Sequence, residues 1–384
     1  MIPEHYRGRE QAFIKHTLLK GYIEKLFMII GQNEKSISYV DCFAGPWLEG
    51  SSNLDDTSVG VSLNIISNCR KALAGLSKDV HFRALFIEKN PESYRKLKSF
   101  VERSQWSGID VKAINGDFYD LRGEILKWCG DDSFVFFFVD PSGWKEVVEI
   151  DTLRPLLQRS KSEYLINFMF GFINRFYTQA ALEQDMKQIF GSVEDLSEMS
   201  PEEREEHLIS LYQERLKGSL PPHQLRPRSA RVQVLCPQKD RTLYYLVYLT
   251  RHPLGIMKFM EESERLDVIQ RIVREEAKQD RRVRETGQTE LWSAASFQPV
   301  ECDRPDPSRV KEYWLSKLTC EPRRFGVVDL ADMLEETGWF ISDLQSAFKQ
   351  LQEENKVKNL DARGTRRKNM VHFEQGERLQ KLEP

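Results

Sequence analysis

At 384 residues, with 40% apolar and 30% charged residues, the chain is long enough for one large and one small domain and too well mixed to be disordered throughout. A formal net charge of −3 excludes the global basic field of a histone-like binder, so affinity for phosphate has to come from a local patch. The six cysteines include no CxxC pair and no histidine at ligand spacing, and no apolar run reaches the roughly 18 residues of a membrane span; reduced thiols, no bound metal, no membrane contact and a cytoplasmic location are expected.

From Gln11 to Gly31 the residues Phe13, Ile14, Leu18, Tyr22 and Leu26 recur at helical spacing, which predicts an amphipathic helix. Short β-branched or aromatic runs then alternate with longer helical patterns, as βαβ architecture demands. Strands are predicted at Ser36 to Ala44, His81 to Glu88, Val111 to Gly116, Phe134 to Asp140 and Glu163 to Phe170, with helices at Val59 to Leu76 and from Pro91 onward. These strands are nearly continuous apolar runs, so the sheet is expected to be mostly parallel and buried on both faces. Residues 178 to 228 read as a helical insertion, in which Ser200 caps a helix opened by Pro201. Arg231 to Cys236 and Thr242 to Thr250 then read as a hairpin closing the sheet, followed by a charged helix from Glu261 to Arg284. The predicted fold is α/β, with a first domain over residues 1–290 and a proline-bearing connector over 291–307.

Ligands of open α/β sheets bind at the carboxyl ends of the strands, and acids recur there in this sequence. YVDCFAGPW ends the first strand with Asp41, Phe43, Ala44 and Gly45, where the glycine lets backbone approach a ligand. LFIEKNP ends the second with Glu88, placed to accept from ribose hydroxyls, and NGDFYD follows the third with Asp117 for an adenine amino group and Phe118 to stack on it. Together they describe an adenosine pocket, although each acid also suits a plain helix cap and Phe118 a place in the core. The absence of GxGxxG in AGPWLEG disfavours a nicotinamide enzyme, and no GxxxxGK[ST] phosphate loop occurs.

The fourth strand ends VDPSGW. Asp140 and the carbonyl before Pro141 can both accept from an exocyclic amine, freeing its lone pair for methyl transfer, while Trp144, or else Phe168 or Phe170, can stack on an extruded base. The competing reading makes Asp140 a helix cap with Pro141 at the first position.

From Ser308 three short amphipathic helices follow, striped by Val310, Trp314 and Leu318, by Leu330, Ala331 and Leu334, and by Leu344, Ala347, Phe348 and Leu351. After Asn355, KVKNLDARGTRRKNMVHFE reads as strand, loop and strand, with Lys356, Lys358, Arg363, Arg366, Arg367 and Lys368 clustered at the loop. Residues 308–384 are therefore expected to be a winged helix-turn-helix domain whose wing contacts phosphates, or else a protein-docking module with a solvated basic hairpin.

The set KHTLLKGYIEKL, YVDCFAGPW, LFIEKNP, FFFVDPSGW, EYLINF and LYYLVYLTRHPLG, with the terminal domain, resembles the three-Cys-motif partner protein (TcmP) family, a class I methyltransferase-like group. The resemblance implies a Rossmann-like sheet, S-adenosyl-L-methionine as cofactor, and a partner carrying a radical-SAM-like three-cysteine motif. Lys15 and His16 match the family's KH pair. Trp47 stands where the family has glycine, and DPSG replaces the DPPY of amino methyltransferases. The sequence thus predicts a nucleic-acid N-methyltransferase, with DNA favoured over RNA. Its alternative is a catalytically weak or inactive nucleic-acid-binding partner of the radical-SAM-like enzyme, favoured if the Trp47 side chain fills the methionine end of the pocket. A protein or small-molecule methyltransferase leaves the basic wing unexplained.

Overall fold

The computed structural model describes residues 3, 6, 8–45, 57–103, 106–141, 143, 146–171, 173, 182–237, 239, 241–286, 304–363 and 367–382. The chain divides into two compact units, one of Met1–Arg251 with Leu266–Arg281 and the other of His252–Arg265 with Arg282–Pro384.

In the first unit α1 (Glu10–Ile30) precedes the alternating series β1 (Ser36–Asp41), α2 (Ser58–Gly75), β2 (His81–Glu88), α3 (Pro91–Arg103), β3 (Ile109–Asn115), α4 (Phe118–Cys129), β4 (Phe134–Val139), α5 (Ile150–Leu157) and β5 (Ser162–Phe168). Helices α6 (Glu183–Phe190) and α7 (Pro201–Gly218) fill the predicted insertion, and β6 (Arg228–Leu235) and β7 (Thr242–Thr250) complete one seven-stranded sheet. Its order is β3-β2-β1-β4-β5-β7-β6, with β1 to β5 parallel and β7 antiparallel to both its neighbours. The chain winds outward from β1 to β3 and restarts at β4 on the other side of β1. That reversal opens a crevice at the carboxyl ends of β1 and β4.

The sequence of β4, FVFFFV, is apolar at every position because both of its faces are covered. Val135, Phe137 and Val139 join the core beneath α4 to α7, where Phe137 stacks on Tyr164 at 5.2 Å. On the opposite face Phe136 lies 6.1 Å from Tyr22 of α1, and Phe82 of β2 lies 5.8 Å from Phe27. Helix α1 supplies Ile14, Leu18, Tyr22 and Leu26 from one side at the spacing of a single face, and a side chain at Gly31 would collide with Leu73 of α2. Helix α7 begins on a complete capping box, Ser200 with Glu203, and has Pro201 in its first turn.

The second unit contains the first turns of α8 (Pro253–Thr286), then α9 (Pro307–Lys317), β8 (Arg323–Phe325), α10 (Val327–Thr337), α11 (Ile341–Glu353), β9 (Val357–Asn359) and β10 (Glu377–Lys381). The three strands form an antiparallel sheet in the order β8-β10-β9. Trp314 is fully buried, donates from Nε1 to the Leu344 carbonyl at 2.9 Å, and packs on Phe348, Phe325 and Phe373.

Two features of this sheet differ from the sequence reading. The central partner strand begins at Glu377, beyond MVHFE, and β8 joins its other edge. Val371 and Phe373 are buried as expected of a strand, but the backbone of Val371 is bonded on both sides by the Gln345 side-chain amide, at 2.8 and 3.0 Å. A side chain of α11 thus satisfies the groups that a sheet ladder would otherwise take.

No helix among the described residues is long and apolar enough to cross a membrane.

Candidate active site

A cleft of about 910 Å³ opens at the carboxyl ends of β1 to β4 and is lined by Phe43, Gly45, Glu88, Asp117, Phe118 and Pro141 among others. Its volume lies in the range of small-molecule and cofactor sites. Phe43 and Phe118 bring their rings to 5.2 Å on one wall. Glu88 ends β2, almost buried, and its Oε1 accepts from the Asn90 amide at 2.6 Å, which fixes the carboxylate at the rim.

Asp117 lines the cleft while capping α4 through the Tyr119 amide at 2.8 Å. It also pairs with Lys89 at 2.6 Å, and the lysine hydrogen bond holds its carboxyl below the usual range. The predicted adenine acceptor is thus also a helix cap, and its cation is displaceable: the Lys89 side chain is 77% exposed. The sequence reading missed Lys89, although LFIEKNP places it directly after the ribose acid.

Asp41 and Ala44 are brought to the same strand end but do not line the cleft. Asp41 is fully buried and accepts from Ser58 Oγ at 2.7 Å and from the Phe43 amide at 3.1 Å; burial pushes its carboxyl up to about 7. Ala44 donates its amide to the Ile87 carbonyl at 2.8 Å. Both shape the turn that carries Phe43 and Gly45 rather than facing a ligand.

Asp140 directly follows β4 and precedes Pro141 at the cleft wall, but like Asp41 and Ala44 it is not itself among the lining residues. Its Oδ2 pairs with Lys15 Nζ from α1, and its Oδ1 accepts from Asn167 Nδ2 of β5 at 2.7 Å. The two partners fix the carboxylate from two elements, and its side chain is 14% exposed. Pro141 and Gly143 line the cleft beside it, whereas Trp144 and Trp47 lie outside the described residues. His16 is nearly buried, with Nδ1 at 2.9 Å from the Tyr6 hydroxyl.

The alternates for base stacking fall away. Phe168 is fully buried and stacked on Tyr212 at 4.1 Å, and Phe170 meets Tyr245 edge-on at 5.8 Å. Both rings belong to the core.

In the C-terminal unit the six clustered basic residues separate. Arg367 is drawn inward to pair with the buried Glu377 at 2.5 Å, so it does not belong to the exposed set that the sequence reading gave it. Lys356 pairs with Glu354 at 2.8 Å; that acid also holds Lys311, and hydrogen bonds from the two lysines lower its carboxyl to about 2. Lys358, Arg363 and Lys368 are exposed, with no ion pair among the described residues, and Arg366 lies outside them. The first turn of α11 is engaged as well: Arg304 bonds Ser342 and Asp343 at 3.1 and 2.9 Å, and Glu264 of α8 accepts from Ser342.

Strand order and the crevice at the β1/β4 reversal define a Rossmann-like α/β protein with a doubly wound sheet. No protein-family model and no curated protein sequence matches the chain. Among solved structures it is similar to a Legionella pneumophila protein, at 13% identity and TM-score 0.36 over 67% of this chain and 90% of that one. It is also similar to M. jannaschii TYW2 in complex with AdoMet, at 13% identity and TM-score 0.27 over 60% and 77% of the two chains. A third likeness is to the precorrin-6y C5,15-methyltransferase of Geobacter metallireducens, at 10% identity and TM-score 0.27 over 60% and 88%. Likenesses at that level say nothing of substrate.

Proposed function

We propose that the chain is an S-adenosyl-L-methionine-dependent methyltransferase acting on an exocyclic amine of a nucleic-acid base, with DNA favoured over RNA. The observation that carries this reading is Asp140, held from two sides next to a cleft of cofactor size. The residues present fit the cofactor: Glu88 for the ribose, Asp117 for the adenine amine once Lys89 swings aside, the Phe43 and Phe118 rings for the adenine face, and Gly45 for backbone approach. When bound, that cofactor supplies an electrophilic methyl group. The chain itself orients the amine and takes up its proton. Asp140 accepts one N–H, which turns the nitrogen lone pair out of conjugation, and receives the proton that leaves as the N–C bond forms.

The order of α9, α10, α11 and the antiparallel sheet supports a winged helix, and Lys358, Arg363 and Lys368 supply its phosphate contacts. With Arg304 and Glu264 on its first turn, α11 lies against phosphates rather than inserting that turn among base edges. Membership of the TcmP family and a radical-SAM-like partner rest on the sequence motifs.

Calorimetric titration of the full chain with S-adenosylhomocysteine tests the pocket. Glu88→Ala should weaken binding about tenfold to a hundredfold, as loss of a hydrogen bond to a charged group does. A parent that gives no heat, or a variant with the parent's affinity, would overturn the assignment. Transfer of labelled methyl groups to fragmented DNA and to RNA then tests the substrate class.

A further inference from the structure

The turn between β2 and α3 brings three consecutive residues, Glu88, Lys89 and Asn90, to the cleft wall. Its backbone is fixed from several sides. Asn115 Nδ2 donates to the carbonyls of Glu88 and Lys89 at 2.8 and 3.2 Å, the Asn90 amide goes to Glu88 Oε1, and Asn90 Oδ1 caps α3 by accepting from the Glu92 and Ser93 amides, both at 2.9 Å. From this base the Lys89 side chain reaches across to the start of α4, where Nζ meets Asp117 Oδ2 at 2.6 Å. The other carboxylate oxygen, Oδ1, is held by the Tyr119 amide and makes the helix cap. The cap therefore does not depend on the lysine, and an ion pair this exposed is weak. Asp117 and Lys89 both line the cleft, so the oxygen that a ligand would use already carries a donor. A released ammonium stays within electrostatic reach of Glu146, exposed on the same wall, and of Asp120.

We infer that Lys89 is a specificity-determining residue of this cleft: its ammonium and the exocyclic amine of an adenosine ligand are rival donors to Asp117 Oδ2, so binding exchanges one for the other. The inference rests on the methyltransferase reading and deepens it, because it names what sets affinity at the adenine end. A ligand with the amine gains a hydrogen bond to a carboxylate and gives up the ion pair. A ring without the amine has nothing to exchange and leaves the pair intact. Lys89 thus lowers the advantage that Asp117 gives to adenine. Salt acts on the exchange in an uncommon direction. Added ions screen an exposed ion pair, which frees the carboxylate for the neutral amine. S-adenosylhomocysteine carries one ammonium and one carboxylate and no net charge, so loss of a distant surface cation does not by itself alter its affinity.

The experiment titrates the full chain with S-adenosylhomocysteine and with its analogue carrying purine in place of adenine, which removes only the amine. Lys89→Met should bind S-adenosylhomocysteine about twofold to fivefold more tightly than the parent, the range set by an exposed ion pair, and bind the analogue as the parent does. Lys89→Arg keeps a cation at the site and should behave as the parent. As salt is raised, the parent's affinity for S-adenosylhomocysteine should climb toward that of Lys89→Met, whose own affinity stays level. Asp117→Asn retains a residue that caps helices, and in that background Lys89→Met should have no effect. The role of Lys89 is overturned if Lys89→Met gains no affinity, gains as much for the analogue, or gains as much in the Asp117→Asn background. Those outcomes leave cofactor binding itself standing. A parent that gives no heat with S-adenosylhomocysteine overturns the methyltransferase reading, and the role of Lys89 with it.

Discussion

Around the carboxyl edge of the large sheet, polar groups from distant parts of the chain share partners: Lys15 of α1, Asp140 after β4 and Asn167 of β5 form one connected set, in which Asn167 Oδ1 has no partner among the described residues. In the C-terminal unit, charges pair and cancel. Arg367 goes to Glu377, Lys356 and Lys311 to Glu354, and Arg378 to Asp361 at 2.7 Å. The first arrangement ties three elements of one sheet edge together through shared partners, whereas the second holds short strands and loops in place by separate ion pairs. A count of basic residues in a sequence is therefore a poor measure of a phosphate-binding surface.

The contrast can be broken at its strongest point. Asp140→Ala should lower methyl transfer by about 10²–10⁴-fold, the range of general-base catalysis, with affinity for S-adenosylhomocysteine retained. Turnover equal to the parent's would return Asp140 to a structural part and make the two regions alike.

Asp41 sharpens it through pH. Burial raises its folded carboxyl to about 7, while the unfolded chain titrates in the ordinary carboxylate range. Between those values the native state binds the extra proton, so stability should fall as pH rises from about 4 to about 7, by an amount on the order of a few kcal/mol. Asp41→Asn mimics the protonated acid and should flatten the dependence in urea unfolding measured at several pH values. An unchanged slope would mean that Asp41 is ionised when buried and that its hydrogen bonds outweigh desolvation.

Arg367→Ala should cost about 3 kcal/mol, because it leaves Glu377 buried without its cation. The loss would appear as faster hydrogen exchange in β9 and β10, with the salt dependence of nucleic-acid binding unaltered. Joint replacement of Lys358, Arg363 and Lys368 should do the reverse, leaving exchange intact and reducing the salt slope by up to about 0.9 for each phosphate no longer neutralised. If Arg367→Ala moves the slope instead, the division between structural and phosphate-facing cations fails.

The centre of the sheet was legible because β4, FVFFFV, is an unbroken apolar run, whereas the edge strands β3, IDVKAIN, and β6, RSARVQVL, alternate instead of being buried on both faces; the Ser200 cap was legible because three residues fix it locally. The acids after β2, β3 and β4 could be placed from the sequence for the same reason. Their partners could not: Lys15 and Asp140 are brought together by the packing of α1 across the sheet, which no local pattern encodes. Asn167 carried a signal, a lone amide within EYLINF, but its meaning depends on Asp140 being one strand away. The last strand was misplaced because Val371 and Phe373 alternate as a strand does, while their backbone is served by Gln345. Phe168 and Phe170 were open to a stacking role only until α7 and β7 were seen to cover them.

The strand order has a consequence for the newborn chain. As β1, β2 and β3 leave the ribosome they can pair in turn, because each has its neighbour already synthesised. The other edge of β1 pairs with β4, and Ile37 meets Phe134 only after about 100 further residues; at ~5–20 residues per second that interval is ~5–20 s. Throughout it, Ile37, Tyr39 and Val40 sit on a half-built sheet with one open edge, the kind of surface that invites chaperones and wrong partners. Arrival of β4 closes that edge and creates the β1/β4 crevice in the same event, while the outer edge of β4 waits in turn for β5.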